Sequence, residues 1–349
     1  MLKYLRLLLL PFSILFRILV GIRTWAYAQG ILSSGEINIP VLSIGNLSTG
    51  GTGKTPLALW ILKFYQDQGI RVAYLSRGYG RDTKGIYKVE NLLEGAKKYG
   101  DEAVLVAARF PDIPCYVGEN RLLAAREIIH AHPTLQLLLL DDAFQHHRLK
   151  RELDIVLLDA NRMPDTDFLL PAGNLREPIS ALHRAGMVVI NKCESINPLK
   201  GRIQHPNLAY SRPVFTDMVL MENGEEKVLT LEVALKQPFL VFAGLGNNSY
   251  FFSQIEQAGG VILHKWSFPD HHVFKSSELK EITDTWRRLS PSSPDLVILT
   301  TEKDFCRLNS INLRSFLAPY PWAFIRIDLE WLAGKNTLIN CLQEVIHRK

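Results

Sequence analysis

The chain has 349 residues, 47% of them hydrophobic and 21% charged, with a formal net charge of +5. That is enough chain for two domains of ordinary size and too apolar for disorder, while the weak basicity, without an arginine-rich run or an aromatic-basic repeat, argues against a nucleic-acid partner. The four cysteines, Cys115, Cys193, Cys306 and Cys341, are far apart with no C-x-x-C pair, so neither a zinc site nor a disulfide framework is indicated and a reducing compartment fits.

In chain order, the first element is a membrane candidate. Lys3, Arg6, Arg17 and Arg23 precede the first acidic residue, Glu36, and are embedded in MLKYLRLLLLPFSILFRILVGIRTW. The longest uncharged run, Leu7 to Phe16, is ten residues, against the roughly 20 that span a bilayer, which disfavours a transmembrane helix. Wound as a helix, Lys3, Arg6, Ser13 and Arg17 fall on one side and most leucines, isoleucines and phenylalanines on the other, so residues 1–25 read as a surface-lying amphipathic helix with a kink expected at Pro11. A secretory signal cleaved after Ala26-Tyr27-Ala28 fits less well, because Arg17 and Arg23 interrupt its apolar stretch.

Residues 41–56, VLSIGNLSTGGTGKTP, read as an apolar strand running into a glycine-rich turn and then a helix over Leu57–Gln68. The pattern predicts a nucleoside triphosphate site. Ser48, Thr49, Gly50, Gly51, Thr52, Gly53 and Lys54 form the phosphate cradle, with Lys54 as a point charge and Thr55 as a hydroxyl ligand for Mg²⁺. The strict G-x-x-x-x-G-K-[ST] pattern needs glycine where Ser48 stands, so the match is to a G-G-x-G-K-T variant.

Beyond the loop, apolar runs alternate with helical stretches: VAYLSR, an Ala-rich segment from Glu119 to His130, LQLLLLDD, DIVLLDA and MVVINK. This predicts a parallel sheet covered on both faces, with functional residues at the carboxyl ends of the strands. Asp141 and Asp142 end one such strand, where a P-loop fold places a carboxylate for Mg²⁺, although an N-cap role would also suit one of them. Gln145, His146 and His147 follow. Histidine ligation of zinc is an alternative there, but hard oxygen donors beside a phosphate loop favour Mg²⁺ and leave imidazole for a substrate phosphate or hydroxyl. Asn191-Lys192 is similar to the start of a guanine-reading N-K-x-D, yet Glu194 stands where Asp is required, so loop chemistry is the better reading. Asn223-Gly224, between FTDMVLM and KVLTL, predicts a hairpin. PFLVFAGLGN, GGVILHKW, DLVILTTEKD and WAFIRIDLEW then read as strands of a second, smaller unit. The expected organisation is an amphipathic helix over 1–25, a P-loop α/β domain over 26–210, a two-stranded β linker over 211–234 and a smaller α/β domain over 235–349.

IGNLSTGGTGKTP, LSRGYGR, YGDE, GENR, LDDAFQH, LLPAGNLREP, FAGLGN, FPDHH and TTEKD, in this order over about residues 1 to 330, together resemble the tetraacyldisaccharide 4'-kinases of lipid A synthesis. The resemblance implies transfer of the ATP γ-phosphoryl group to the 4'-hydroxyl of an acylated glucosamine disaccharide 1-phosphate, giving lipid IVA, at the cytoplasmic face of the inner membrane of a Gram-negative-type bacterium. It also implies a catalytic dyad drawn from both domains, Asp101 as proton acceptor and His271 tuning it, with His272 structural. By the same resemblance Glu102, Arg121, Gln145, His146, Asn174, Arg176 and Glu177 surround the acceptor and its phosphates. Asn174 and Asn248 stand where many members carry proline. A membrane-associated P-loop switch or partitioning ATPase, and a nucleotide-regulated binding protein, are the rival classes; neither needs Asp101 with His271.

Overall fold

A computed structural model describes residues 8–90, 95–222, 225–308 and 319–347. Lys3 and Arg6, and the Asn223-Gly224 turn, lie outside the described residues. The chain opens with helix α1 (Leu10–Ala28), followed by β1 (Val41–Asn46), α2 (Lys54–Asp67), β2 (Val72–Ser76), β3 (Tyr87–Lys88), α3 (Gly95–Tyr99), α4 (Asp101–Arg109), β4 (Cys115–Val117), α5 (Arg121–Ala131), β5 (Leu137–Leu140), β6 (Leu153–Asp159) and β7 (Met187–Asn191). The long β8 (Leu208–Glu222) leads to β9 (Glu225–Thr230), α6 (Leu231–Ala234), β10 (Pro238–Ala243), α7 (Asn248–Gln257), β11 (Val261–Ser267), α8 (Ser276–Leu289), β12 (Val297–Thr301), α9 (Glu302–Arg307), β13 (Trp322–Ala333) and α10 (Lys335–His347).

The strands make one sheet in the order β11-β10-β12-β13-β8-β7-β6-β1-β5-β2-β4-β3, with β9 hydrogen-bonded to β8. From β7 to β4 all neighbours are parallel. Direction reverses in the middle, where β13 pairs antiparallel with β8 from Trp322↔Met221 to Ala333↔Tyr210, and again at the edge, where β3 runs antiparallel to β4. The apolar runs are doubly covered, as their composition required: Leu137 and Leu139 of β5 join Leu57 and Leu62 of α2 on one face, while Leu138 and Leu140 join Ala124 and Ile128 of α5 on the other. In the second half Leu240 and Phe242 pack on α8, and Phe239 and Val241 on α7.

Two expectations of organisation meet a different molecule. The hairpin strands flank positions 223 and 224 in the expected register, Glu222↔Glu225, but β8 is also a full member of the sheet, pairing with β7 at Val188↔Leu208, so the boundary at 211 falls inside a strand. The last helix, α10, also returns to the first half: Leu338, Leu342 and Val345 belong to the core around α2, and Tyr65 Oη donates to the Leu342 carbonyl at 2.9 Å. Sequence could not reveal this, since an amphipathic helix does not name the sheet it will cover.

Among the described residues helix α1 begins at Leu10, so Pro11 sits in its first turn, where the missing N–H is no loss. By length and composition it is able to cross a membrane. It lies on the body through Ser13, Phe16 and Ala26 and by lateral contacts: Ser13 Oγ donates to the Leu169 carbonyl at 2.8 Å, Arg23 Nη2 to the Gln145 carbonyl at 3.2 Å, and Tyr27 stacks on His147. Phe12, Ile14, Leu15, Ile18, Leu19, Ile22 and Trp25 are exposed.

Candidate functional site

The phosphate loop leaves β1 and enters α2 at Lys54, three residues earlier than the sequence placed that helix. Gly53 sits at φ +90°, and a Cβ there would lie 2.2 Å from Asn191 Nδ2, so only glycine closes the loop this way. Ser48 needs no such freedom. It is held in an extended bridge to Leu175, and Thr49 N–H donates to the Asn174 carbonyl at 2.8 Å, which explains why the strict glycine is dispensable at 48.

Asp141 and Asp142 end β5 but do different things. Asp141 is 1% exposed, its Oδ2 accepting from Tyr74 Oη at 2.7 Å and its Oδ1 from the Asp142 amide at 2.8 Å. Asp142, in the left-handed region at φ +47°, turns its carboxylate outward to Lys54 Nζ at 3.4 Å and Arg176 Nη1 at 3.1 Å. Burial would raise the Asp142 carboxyl, but the two cations hold it below the ordinary carboxylate range. Burial raises both Asp141 and Glu102; the charge of Asp142 adds to the rise at Asp141, and that of Asp141 to the rise at Glu102. A hydroxyl at Thr55 with the Asp142 carboxylate is a hard-oxygen donor set suited to Mg²⁺. Among the described residues no cluster of three or more His, Cys, Asp or Glu is disposed to hold a metal by itself, so the histidine-zinc alternative finds no support and a cation here needs phosphate oxygens to complete its shell.

Asp101 opens α4 directly after Gly100, whose φ of +86° and close approach to Gly78 seat the helix start against the SRGYG turn. The carboxylate is buried, and the second half of the chain reaches it. His271 Nδ1 lies 2.9 Å from Asp101 Oδ2, Arg307 Nη2 2.6 Å from the same oxygen, and Lys303 Nζ 3.4 Å. Burial alone would raise Asp101, but the His271 hydrogen bond and the charges of Lys303 and Arg307 outweigh it and hold the carboxyl well below the ordinary range. His271 is one-third exposed, sits at φ +58°, and has Tyr79 beside it with ring centroids 5.5 Å apart. Its neighbour His272 is structural, bonded to Glu278 at 2.9 Å. Asn248 fixes the segment before them, donating to Ser267 Oγ and the Phe268 carbonyl at 2.8 and 2.7 Å, which gives asparagine a reason to replace proline there.

Sequence reasoning passed over the cations of this cluster. Arg307 is anchored by Asp304 at 2.6 Å, and Asp304 by Thr301 at 2.7 Å, so TTEKD is the scaffold of an arginine three residues beyond it. At the far end of α4, Arg109 Nε donates to Glu302 at 3.0 Å, so α9 grips α4 by opposite charges at both ends. The residues expected around the acceptor divide. Arg176, Gln145 and His146 border Asp142 and the β1 end, Gln145 Nε2 donating to the Asn46 carbonyl at 2.9 Å. Burial and the nearby Arg121 and Arg151 push His146 down to about 4. Arg121 is instead 3% exposed and donates to the Gly118 and Asp141 carbonyls at 2.5 and 3.3 Å, Glu177 is buried against Arg184, and the Asn174 side chain holds Asp167 at 3.0 Å. Those three brace the walls in this arrangement. The signal that could have found this is the apolar helical face on which Arg121 lies.

Comparison with known proteins places this geometry. The tetraacyldisaccharide-1-P 4'-kinase family matches residues 5–347. A tetraacyldisaccharide 4'-kinase of Chlorobaculum parvum is 35% identical, covering 98% of this chain and 95% of its own, and one of Flavobacterium johnsoniae is 32% identical over 96% and 94%. A crystal structure of the "apo" form of LpxK from Aquifex aeolicus in complex with ATP superposes with a TM-score of 0.76 at 26% identity, covering 98% of this chain and 99% of that one. Family match, near-full-length relatives and shared fold agree: this chain belongs to the tetraacyldisaccharide-1-P 4'-kinase family and is a lipid A kinase.

Proposed function

We propose that Mg²⁺-ATP seats its phosphates on residues 48–55 and that the acceptor's 4'-hydroxyl enters between Lys54 and the Asp101–His271 pair. The observation that carries this reading is the 2.9 Å contact between Asp101 and His271, residues 170 positions apart whose union serves neither core. Asp142 and Thr55 are the residues that would hold the ion, whose chemistry would be to neutralise charge on the transferring phosphoryl group, while Asp141, buried and bonded to Tyr74 and the Asp142 amide, sets the turn that presents Asp142. Lys54 supplies a fixed positive charge to the same oxygens, and Arg176 a second one from the acceptor side.

The two dyad members exchange the roles that the resemblance gave them. A carboxylate buried under Arg307, Lys303 and His271 is a poor proton acceptor, whereas the His271 ring is one-third exposed and its second nitrogen, Nε2, is not taken by Asp101 but lies 3.8 Å from Asp270 Oδ1. His271 takes the hydroxyl proton, and Asp101 orients the ring through Nδ1 and stabilises the imidazolium that forms. The membrane surface is approached by α1. The side of α1 that carries Ser13, Phe16 and Ala26 is occupied by the protein body, its outward side is apolar, and the lateral contacts of Ser13, Arg23 and Tyr27 favour a helix lying flat at the interface over one that leaves the body to span. An acylated acceptor confined to the inner membrane's cytoplasmic face gives such a helix its purpose.

Incubation with γ-labelled ATP and lipid extract tests the reaction: label is expected in lipid, and label in water alone would favour the switch ATPase. For the membrane contact, the Ile18→Glu/Ile22→Glu variant is expected to lose most co-sedimentation with anionic vesicles while keeping its melting temperature. Undiminished binding would place the contact elsewhere.

A further inference from the structure

The Asn191-Lys192 pair, which no part of the reaction above uses, lies directly against the phosphate loop. A loop that turns its N–H groups inward toward an anion turns carbonyl oxygens outward, and those need donors from elsewhere. Asn191 Nδ2 donates to the Thr52 carbonyl at 3.0 Å, and Lys192 Nζ to the Gly51 carbonyl at 2.6 Å. Both donors are themselves anchored. Asn191 is 1% exposed and its Oδ1 accepts from Ser211 Oγ at 3.0 Å, with Ser211 fully buried, while Lys192 Nζ is 2.6 Å from Asp159 at the end of β6. Lys192 also adopts φ +62°, a backbone conformation that a lysine keeps only where its surroundings over-determine it. The space over Gly53 is what admits the Asn191 amide.

We infer that Asn191, Lys192, Asp159 and Ser211 form a brace that holds the phosphate loop open for nucleotide, and that they are positioning residues rather than readers of the base. With its ammonium between Asp159 and a loop carbonyl, Lys192 is directed at the loop's outer side. Ser211 belongs to β8, the strand that continues into the second half, so the brace ties the nucleotide loop to the strand both halves share. The inference rests on the nucleotide reading of residues 48–55.

The test uses the full chain with Asn191→Ala, Lys192→Ala, Lys192→Arg and Ser211→Ala, titrated calorimetrically with a non-hydrolysable ATP analogue and Mg²⁺ and assayed with ATP and GTP. Asn191→Ala is expected to weaken analogue binding about 10- to 100-fold, the range for a buried carbonyl left unpaired, and Lys192→Ala, which frees an exposed carbonyl, about 3- to 10-fold, each raising KM for ATP similarly with kcat nearly unchanged. Lys192→Arg keeps a cationic donor and restores most of the affinity; Ser211→Ala shows the same defect more mildly. The ATP-to-GTP preference stays constant. Analogue-induced rise in melting temperature falls by more than the unliganded melting temperature does, a difference that a purely structural role would not produce. Folded variants binding within twofold of the parent, or an altered ATP-to-GTP preference at unaltered affinity, would overturn the brace. Failure of the unmodified chain to bind the analogue would instead bring down the nucleotide reading, and the brace with it.

Discussion

The proposed phosphate end and the proposed proton end of the site are built on opposite plans. The phosphate end is local: Lys54, at the start of α2, and Asp142, just past β5, are reached from β1 and β5, adjacent strands of one parallel sheet, and the loop between β1 and α2 is a continuous run of residues. The proton end exists only because α9 and the turn after β11 meet α4, joining Asp101 to His271, Lys303 and Arg307. A strand-end site is fixed by the sheet register that the core already demands. A site between two halves needs its own fastening, and here that is the charge pairing at both ends of α4.

The comparison can be broken by variants that separate the two ends. The largest effect is expected at the phosphate end: Lys54→Ala should reduce turnover by about 10³-fold or more, measured as label transfer to lipid, with near-normal activity refuting the phosphate assignment. At the proton end, Asp101→Ala and His271→Ala should each lower kcat by about 10²–10⁴-fold while leaving nucleotide affinity within a few-fold. Because the two act as one unit, the double variant should be little worse than the poorer single one; fully additive losses would mean two independent roles.

Smaller effects sharpen the claim that the halves are fastened electrostatically. Arg307→Ala is expected to lower kcat about 10-fold or more without raising KM for ATP, and Arg307→Lys to recover part of it; a loss confined to KM would show Arg307 serving the nucleotide instead. The last effect concerns stability. Asp101 is held below its unfolded value of about 3.9, so its contribution is fully present above roughly pH 5 and is lost as pH falls toward the folded value. In thermal melts Asp101→Asn should therefore be less stable than the parent at neutral pH and should converge with it as the pH is lowered. Parallel melting curves across pH 7 to 3 would show that the ion cluster does not fasten the halves.

Much of the phosphate end was legible in the chain because its chemistry is contiguous: glycines, Lys54 and Thr55 in one run, carboxylates straight after an apolar strand, and a period of alternation that demanded a doubly covered sheet. The strands of the second half and the flanks of the Asn223-Gly224 turn were legible for the same reason. Asp101 and His271 were nameable only through the family's motif order; from local pattern each reads equally well as a helix cap. Tertiary structure alone decided that Asp141 is buried under Tyr74 while Asp142 faces Lys54, that Arg121 and Glu177 brace walls, and that α10 crosses back to α2. It also decided that Arg307, outside every motif, meets the Asp101 carboxylate. The physical reason is common to these cases. A sequence specifies which groups want burial, charge or a turn through interactions of a few residues' reach, whereas the partner that satisfies a buried charge comes from whichever distant segment the packed core brings beside it.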